Sequence, residues 1–184
     1  MESPKVFLVG PMGSGKSTVA RTLAGLLGWS WLDLDSRIQR KADQTIPEIF
    51  NEEGEVGFRD REEQVLEEVA AQEQALVVAT GGGVVLRPAN RLRMRQAGRM
   101  VYLWADVDTL LKRVAGDANR PLLQVADPRA KLAALQEARE PLYQEADRIE
   151  NTAEAPPETV AARLAEWVRN QFPEAGTSGS GSQE

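Results

Sequence analysis

Residues 10–18 read Gly-Pro-Met-Gly-Ser-Gly-Lys-Ser-Thr, so Gly10, Gly15, Lys16 and Ser17 satisfy the spacing G-x-x-x-x-G-K-[ST]. Glycines let a backbone close tightly around an anion and aim successive N–H groups at it. A helix that starts there adds the positive end of its dipole. In such a loop Gly13, Ser14, Gly15, Lys16, Ser17 and Thr18 contact the phosphates of ATP. The lysine ammonium reaches the β- and γ-phosphates and the serine hydroxyl ligates Mg²⁺. By chance the four fixed positions arise in roughly one of every hundred to two hundred chains of this length, so context decides. The apolar run 5–9 has strand character, and Val19, Leu23, Leu26 and Leu27 recur at helical spacing. Strand, glycine loop, helix is the arrangement the motif needs.

Further along lie other groups with chemical potential. Asp33-Leu34-Asp35 ends a second predicted strand, where alternation puts both carboxylates on one side. One can hold Mg²⁺ through water and the other can bind the hydroxyl to be phosphorylated. A helix N-cap, above all for Asp35, is the structural alternative. Gly81-Gly82-Gly83 follows a third apolar strand and offers close backbone approach to a small ligand. Phe58-Arg59-Asp60-Arg61-Glu62 opens a helix; Arg59 sits near its start, where the dipole gives a cation nothing. Glu62, one turn on, can hold Arg59 in position, and a plain surface ion pair is the alternative. Arg120 lies in the polar, proline-containing stretch 117–123, placed like an arginine finger on a mobile loop. Pro141 interrupts a helix end and can turn Arg139 inward.

These groups need a frame. Strands are predicted at 5–10, 30–34, 75–80, 99–104 and 146–151. Helices are predicted at 16–27, 36–42, 46–53, 60–72, 89–97, 107–115, 128–145 and 157–171. Such alternation argues for an α/β fold with a parallel sheet flanked by helices, the first strand central. The 184 residues fit one domain, 1–172, with a lid at about 116–127 and a tail at 173–184, rich in Gly and Ser, expected to be disordered. No cysteine or histidine is present, which excludes disulfides, thiolate metal sites and histidine acid–base chemistry. A net charge of −6 and a pI near 4.9 argue against a nucleic-acid partner. Arg87, Arg91, Arg93, Arg95 and Arg99 are expected to be the solvated face of a helix. The apolar runs are strand-length, so no membrane partner is expected, and the reading is a cytoplasmic monomer.

In order and spacing, these motifs resemble those of the shikimate kinase family, from about Lys5 to Phe172. The likeness rests on the phosphate loop, Asp33-x-Asp35, Gly-Phe-Arg-Asp-Arg-Glu-Glu at 57–63, the glycine triplet, Arg120-Pro121-Leu122-Leu123, and Arg139-x-Pro141-Leu142-Tyr143. It implies a three-layer P-loop fold like that of nucleoside monophosphate kinases, with a five-stranded parallel sheet and a lid. It also implies ATP-dependent phosphorylation of the shikimate 3-hydroxyl, a step of aromatic amino-acid synthesis. By the resemblance, Asp35 binds the shikimate hydroxyls and Arg59 and Arg139 its carboxylate. Gly81, Gly82 and Gly83 give backbone donors, while Phe50, Phe58 and Glu62 line the substrate pocket. Ser17 holds Mg²⁺ directly and Asp33 through water; Arg120 is the lid arginine and Arg113 flanks adenine. One feature departs from the pattern: residues 151–157 contain no arginine for the adenine, so that contact falls to backbone or other side chains. The competing readings are a gluconate- or nucleotide-kinase-like enzyme on the same fold, and a non-enzymatic ATP-dependent switch.

Overall fold

The protein is described here from a computed structural model covering residues 3–115 and 124–173. Arg120, most of the expected lid and nearly all of the expected tail lie outside the described residues.

Strand β1 (Lys5–Val9) is buried along its whole length, which suits a strand covered on both faces. Its neighbours are β3 (Leu76–Ala79) on one side and β4 (Arg99–Trp104) on the other; β2 (Ser30–Asp33) and β5 (Arg148–Asn151) form the edges. The five strands run parallel in the order β2-β3-β1-β4-β5. Pleating sends Val6 and Leu8 to one side, against α1 (Lys16–Leu27) and α7 (Pro157–Gln171). It sends Phe7 and Val9 to the other, against α2 (Leu34–Ala42), α3 (Ile46–Ala70) and α4 (Pro88–Ala97). A smaller apolar cluster joins α5 (Val107–Val114) to α6 (Pro128–Tyr143) through Leu110, Val114 and Leu132. The result is the helix–sheet–helix sandwich expected from the alternating pattern, with β1 at its centre.

Three local expectations are revised. The second strand stops at Asp33, not 34, because the Asp33 carboxylate accepts from Ser36 N at 3.0 Å and caps α2. Asp35 is therefore a first-turn residue, not a strand residue and not the cap. The helices expected at 46–53 and 60–72 are one long element, bent at Gly54, whose φ of 70° and ψ of −175° fit glycine. A capping box starts it: Thr45 caps Glu48 N, and Glu48 Oε2 accepts from Thr45 N at 2.7 Å. Finally, the arginines of 87–95 are not simply solvated. Arg87 pairs with Asp60 and Glu63, Arg93 with Glu67, and Arg91 and Arg95 share Glu145. They stitch α4 to α3 and to the turn after α6.

Leu8 is fully buried within the central strand. Leu8→Ala is expected to cost about 2–5 kcal/mol. For a domain of this size that lowers the melting temperature by about 5–15 °C. A drop under about 2 °C in a thermal melt would contradict this packing.

Candidate active site

In a parallel sheet the strands' carboxyl ends lie on one edge, and β1, β3 and β2 deliver their loops there side by side. Register places Leu8 beside Ala79, so the loop at Gly10 and the loop at Gly81 leave the sheet together. Thr80 secures the junction: its N–H and its hydroxyl both donate to Leu8 O, the hydroxyl at 2.7 Å.

After β1 the phosphate loop turns into α1 through Gly15, the N-cap, whose φ of 89° is the left-handed conformation that disfavours side chains. No side chain caps α1, so its first N–H groups face outward, as an anion site requires. Lys16 Nζ donates to the loop carbonyls of Gly10 and Pro11 at 2.7 and 2.9 Å, curled over the loop. Ser17 Oγ donates to Asp33 Oδ2 at 2.6 Å. That hydroxyl and carboxylate are hard oxygen donors of the kind Mg²⁺ prefers. A cavity of about 760 Å³ runs along this edge, lined by Lys16, Ser17, Asp33, Asp35, Gly81 and Gly82 among others.

The glycine triplet is a point of close approach. A Cβ on Gly81 would stand 2.9 Å from Asp35 Oδ1 and 3.2 Å from Glu62 Oε2. One on Gly82 would stand 3.4 Å from an Arg139 Nη1, and one on Gly83 would collide with the Arg59 guanidinium. Two carboxylates and two guanidiniums from α2, α3 and α6 thus converge on three residues without side chains. Larger residues would drive them apart.

Arg59 is held from several directions. Its Nη1 donates to Glu62 Oε1 at 2.8 Å, Glu55 lies 3.7 Å from its Nε, and its guanidinium sits 5.1 Å over the Phe58 ring. Phe58 stacks on Phe50 at 4.7 Å, so the aromatic pair forms the floor under Arg59. Glu62 is completely buried, and its Oε2 has no hydrogen-bond partner among the described residues. Burial raises its pKa from 4.5 to about 7, against the pull of Arg59.

A second cavity of about 610 Å³ opens on the other side of the loop, between Gly15, Thr18, Arg113 and the segment 152–157. Arg113 ties its walls together by donating to Gly13 O at 3.1 Å, Thr152 Oγ1 at 3.0 Å and Thr152 O at 2.7 Å. Thr152 in turn bonds Trp104 O through its N–H at 2.8 Å. The segment without an arginine is thus braced from the opposite side. Thr152 went unnoticed in the sequence; a threonine directly after the last strand was the signal for it.

A phosphate loop on the central strand, an acid pair beside it and a charged pocket at the same sheet edge define a P-loop kinase for a small molecule. A family model described as Shikimate kinase matches residues 12–169. The chain is 47% identical to a shikimate kinase of Halorhodospira halophila over 168 residues, 91% of this chain and 94% of that one. It is 53% identical to one of Acinetobacter baumannii strain AYE over 142 residues, 77% of this chain and 78% of that one. A solved structure, shikimate kinase from Acinetobacter baumannii in complex with shikimate, matches with a TM-score of 0.88 and 46% identity, covering 92% of this chain and 95% of that one. The chain belongs to the shikimate kinase family.

Glu62 also sets a pH signature. Its ordinary pKa is 4.5 and its folded value about 7, so between these the folded state holds the extra proton. Stability from this group is present at low pH and falls as pH rises from about 4.5 towards 7. The difference in melting temperature, wild type minus Glu62→Gln, should therefore decline between about pH 5 and pH 7.5. A flat difference across that window would contradict the shifted ionisation.

Proposed function

We propose that the protein transfers the γ-phosphoryl group of ATP to the 3-hydroxyl of shikimate, giving shikimate 3-phosphate in the chorismate branch of aromatic amino-acid synthesis. One observation carries the reading: Asp35, Glu62, Arg59 and Arg139 gather around Gly81–Gly83 at the edge that holds the phosphate loop. Two guanidiniums suit a carboxylate, because such pairs are directional and charge-assisted. Carboxylate oxygens and backbone N–H groups suit the hydroxyls of a polyol. Shikimate carries both a carboxylate and hydroxyls, and the similar shikimate kinase from Acinetobacter baumannii has been solved in complex with shikimate.

The chemistry is largely positional. The transferred group is metaphosphate-like, so alignment and charge neutralisation supply most of the rate. In this reading Lys16 leaves the carbonyls of Gly10 and Pro11 to meet the β- and γ-phosphates. Ser17 would hold Mg²⁺, with Asp33 acting through water, and the bound ion would offset charge between the phosphates. Asp35 orients the 3-hydroxyl and takes its proton late in transfer. Arg59 and Arg139 fix the carboxylate, with Glu62 bracing Arg59. Arg113 and segment 152–157 form the adenine side. By its likeness to the family motif, Arg120 would act on the phosphates. Residues 1–172 act as one catalytic domain, 116–127 as its lid and 173–184 as a tail, in a monomer of the cytoplasm. Among the described residues no helix is long and apolar enough to cross a membrane.

The test is ADP release from ATP with shikimate, gluconate or a nucleoside monophosphate as acceptor, and NMR to locate the phosphate. Turnover should depend on shikimate and the product should carry phosphate at the 3-position. Equal turnover on gluconate, or none on shikimate, would refute the proposal. Lys16→Met should lower kcat by about 100-fold or more, as expected for losing a charge-stabilising donor. Asp35→Asn should lower kcat by about 100- to 10,000-fold while ATP binding changes little. Loss of ATP binding with turnover per bound ATP preserved would assign Asp35 to the metal instead.

A further inference from the structure

Tyr143 ends α6 with its side chain fully buried, one turn beyond Arg139. Its ring stacks on Tyr102 of β4 at 4.9 Å, with the planes 25° apart. Its hydroxyl donates to Gly82 O at 2.6 Å, a short bond spanning 61 residues of sequence. Arg139 Nη1 reaches the same glycine, 3.4 Å from where a Cβ on Gly82 would stand. One phenol, on the helix that carries the arginine assigned to the carboxylate, therefore holds the carbonyl of the glycine whose neighbours face Asp35, Glu62 and Arg59. A peptide plane held at its oxygen is held throughout, because the peptide bond does not rotate. Fixing Gly82 O fixes the N–H of Gly83 in that plane, and the loop itself has no side chains with which to hold its shape.

From this geometry we propose that Tyr143 is a positioning residue for the acceptor substrate. It pins the end of α6 to Gly82 O and so keeps the carboxylate-binding arginine, one turn earlier on that helix, in register with the glycine loop. Burial pushes the Tyr143 hydroxyl up to about 12, so it remains a donor throughout the working pH range. Tyr102 is the internal comparison. It is equally buried and shares the stack, but its hydroxyl donates to Glu140 Oε2 at 2.7 Å and does not bond the loop. The inference rests on the carboxylate and loop roles proposed above.

Tyr143→Phe keeps the stacked ring and removes only the hydroxyl. Losing one such hydrogen bond should raise the KM for shikimate about 5- to 10-fold, with the KM for ATP within about twofold. Tyr102→Phe should leave both KM values near wild type, whatever it does to the melting temperature. A purely structural role would lower the melting temperature without the KM split. The chain has two tyrosines, so uniform 3-fluorotyrosine labelling gives two ¹⁹F resonances, assigned with Tyr102→Phe. Shikimate should shift the Tyr143 resonance and leave that of Tyr102 in place, a readout that stands even if Tyr143→Phe does not fold. Normal wild-type turnover, with Tyr143→Phe matching Tyr102→Phe in KM or a Tyr143 resonance that ignores shikimate, would overturn this inference alone. No shikimate-dependent turnover in wild type would overturn the functional reading and this inference with it.

Discussion

Four charged side chains, Glu62 fully buried and Asp35, Arg59 and Arg139 half-buried, crowd around Gly81, Gly82 and Gly83, and the rest of the site depends on that crowding. Burying a lone charge costs far more than any single contact returns, so charges survive indoors only in balanced groups. Here Arg59 and Arg139 face Asp35 and Glu62. The balance is adjustable, because burial brings Glu62 to a pKa near 7. With Glu62 protonated the group carries a net positive charge, which a substrate carboxylate would cancel. The missing side chains of the triplet are what let the four groups approach closely enough to act together.

The fold makes this crowding affordable by bringing distant segments to one edge. Asp35 comes from the first turn of α2, which Asp33 caps. Arg59 and Glu62 come from α3 beyond its bend at Gly54, one turn apart and on one face. Arg139 comes from the far end of α6. The loops meet because β1 pairs with β3 in a register that sets their ends level, with Thr80 closing the joint. Outside the pocket, the ion pairs of α4 hold α3 and the turn after α6 against the same frame. Each is worth little alone, but together they keep the two arginine-bearing helices aligned.

What the sequence made legible was mostly local. The phosphate loop is contiguous, and its glycines, lysine and serine act within nine residues of one another. The three inner strands β3, β1 and β4 could be read because both their faces are covered, which leaves largely unbroken apolar runs. Asp33 and Asp35 were found, but their geometry was not. A capping hydrogen bond to Ser36 N ended the strand one residue early, and alternation cannot anticipate that. Residues 54–59 fall between two expected helices, whereas only Gly54 departs from helical geometry. The arginines of α4 looked solvated because their partners, Asp60, Glu63, Glu67 and Glu145, lie on other elements. Tyr143 stood in a recognised motif, but its bond to Gly82 exists only once α6 is folded against the loop.

The central claim is that a pair of arginines beside the glycine triplet recognises a carboxylate on the acceptor. It is tested most directly by comparing kcat/KM for shikimate and for shikimate methyl ester, on wild type and on Arg139→Ala. Leaving a buried charge unpaired costs about 2–5 kcal/mol, so wild type should prefer the acid by about 30-fold or more. In Arg139→Ala that preference should shrink, because part of the fork is gone. Equal kcat/KM for acid and ester in wild type would contradict the account.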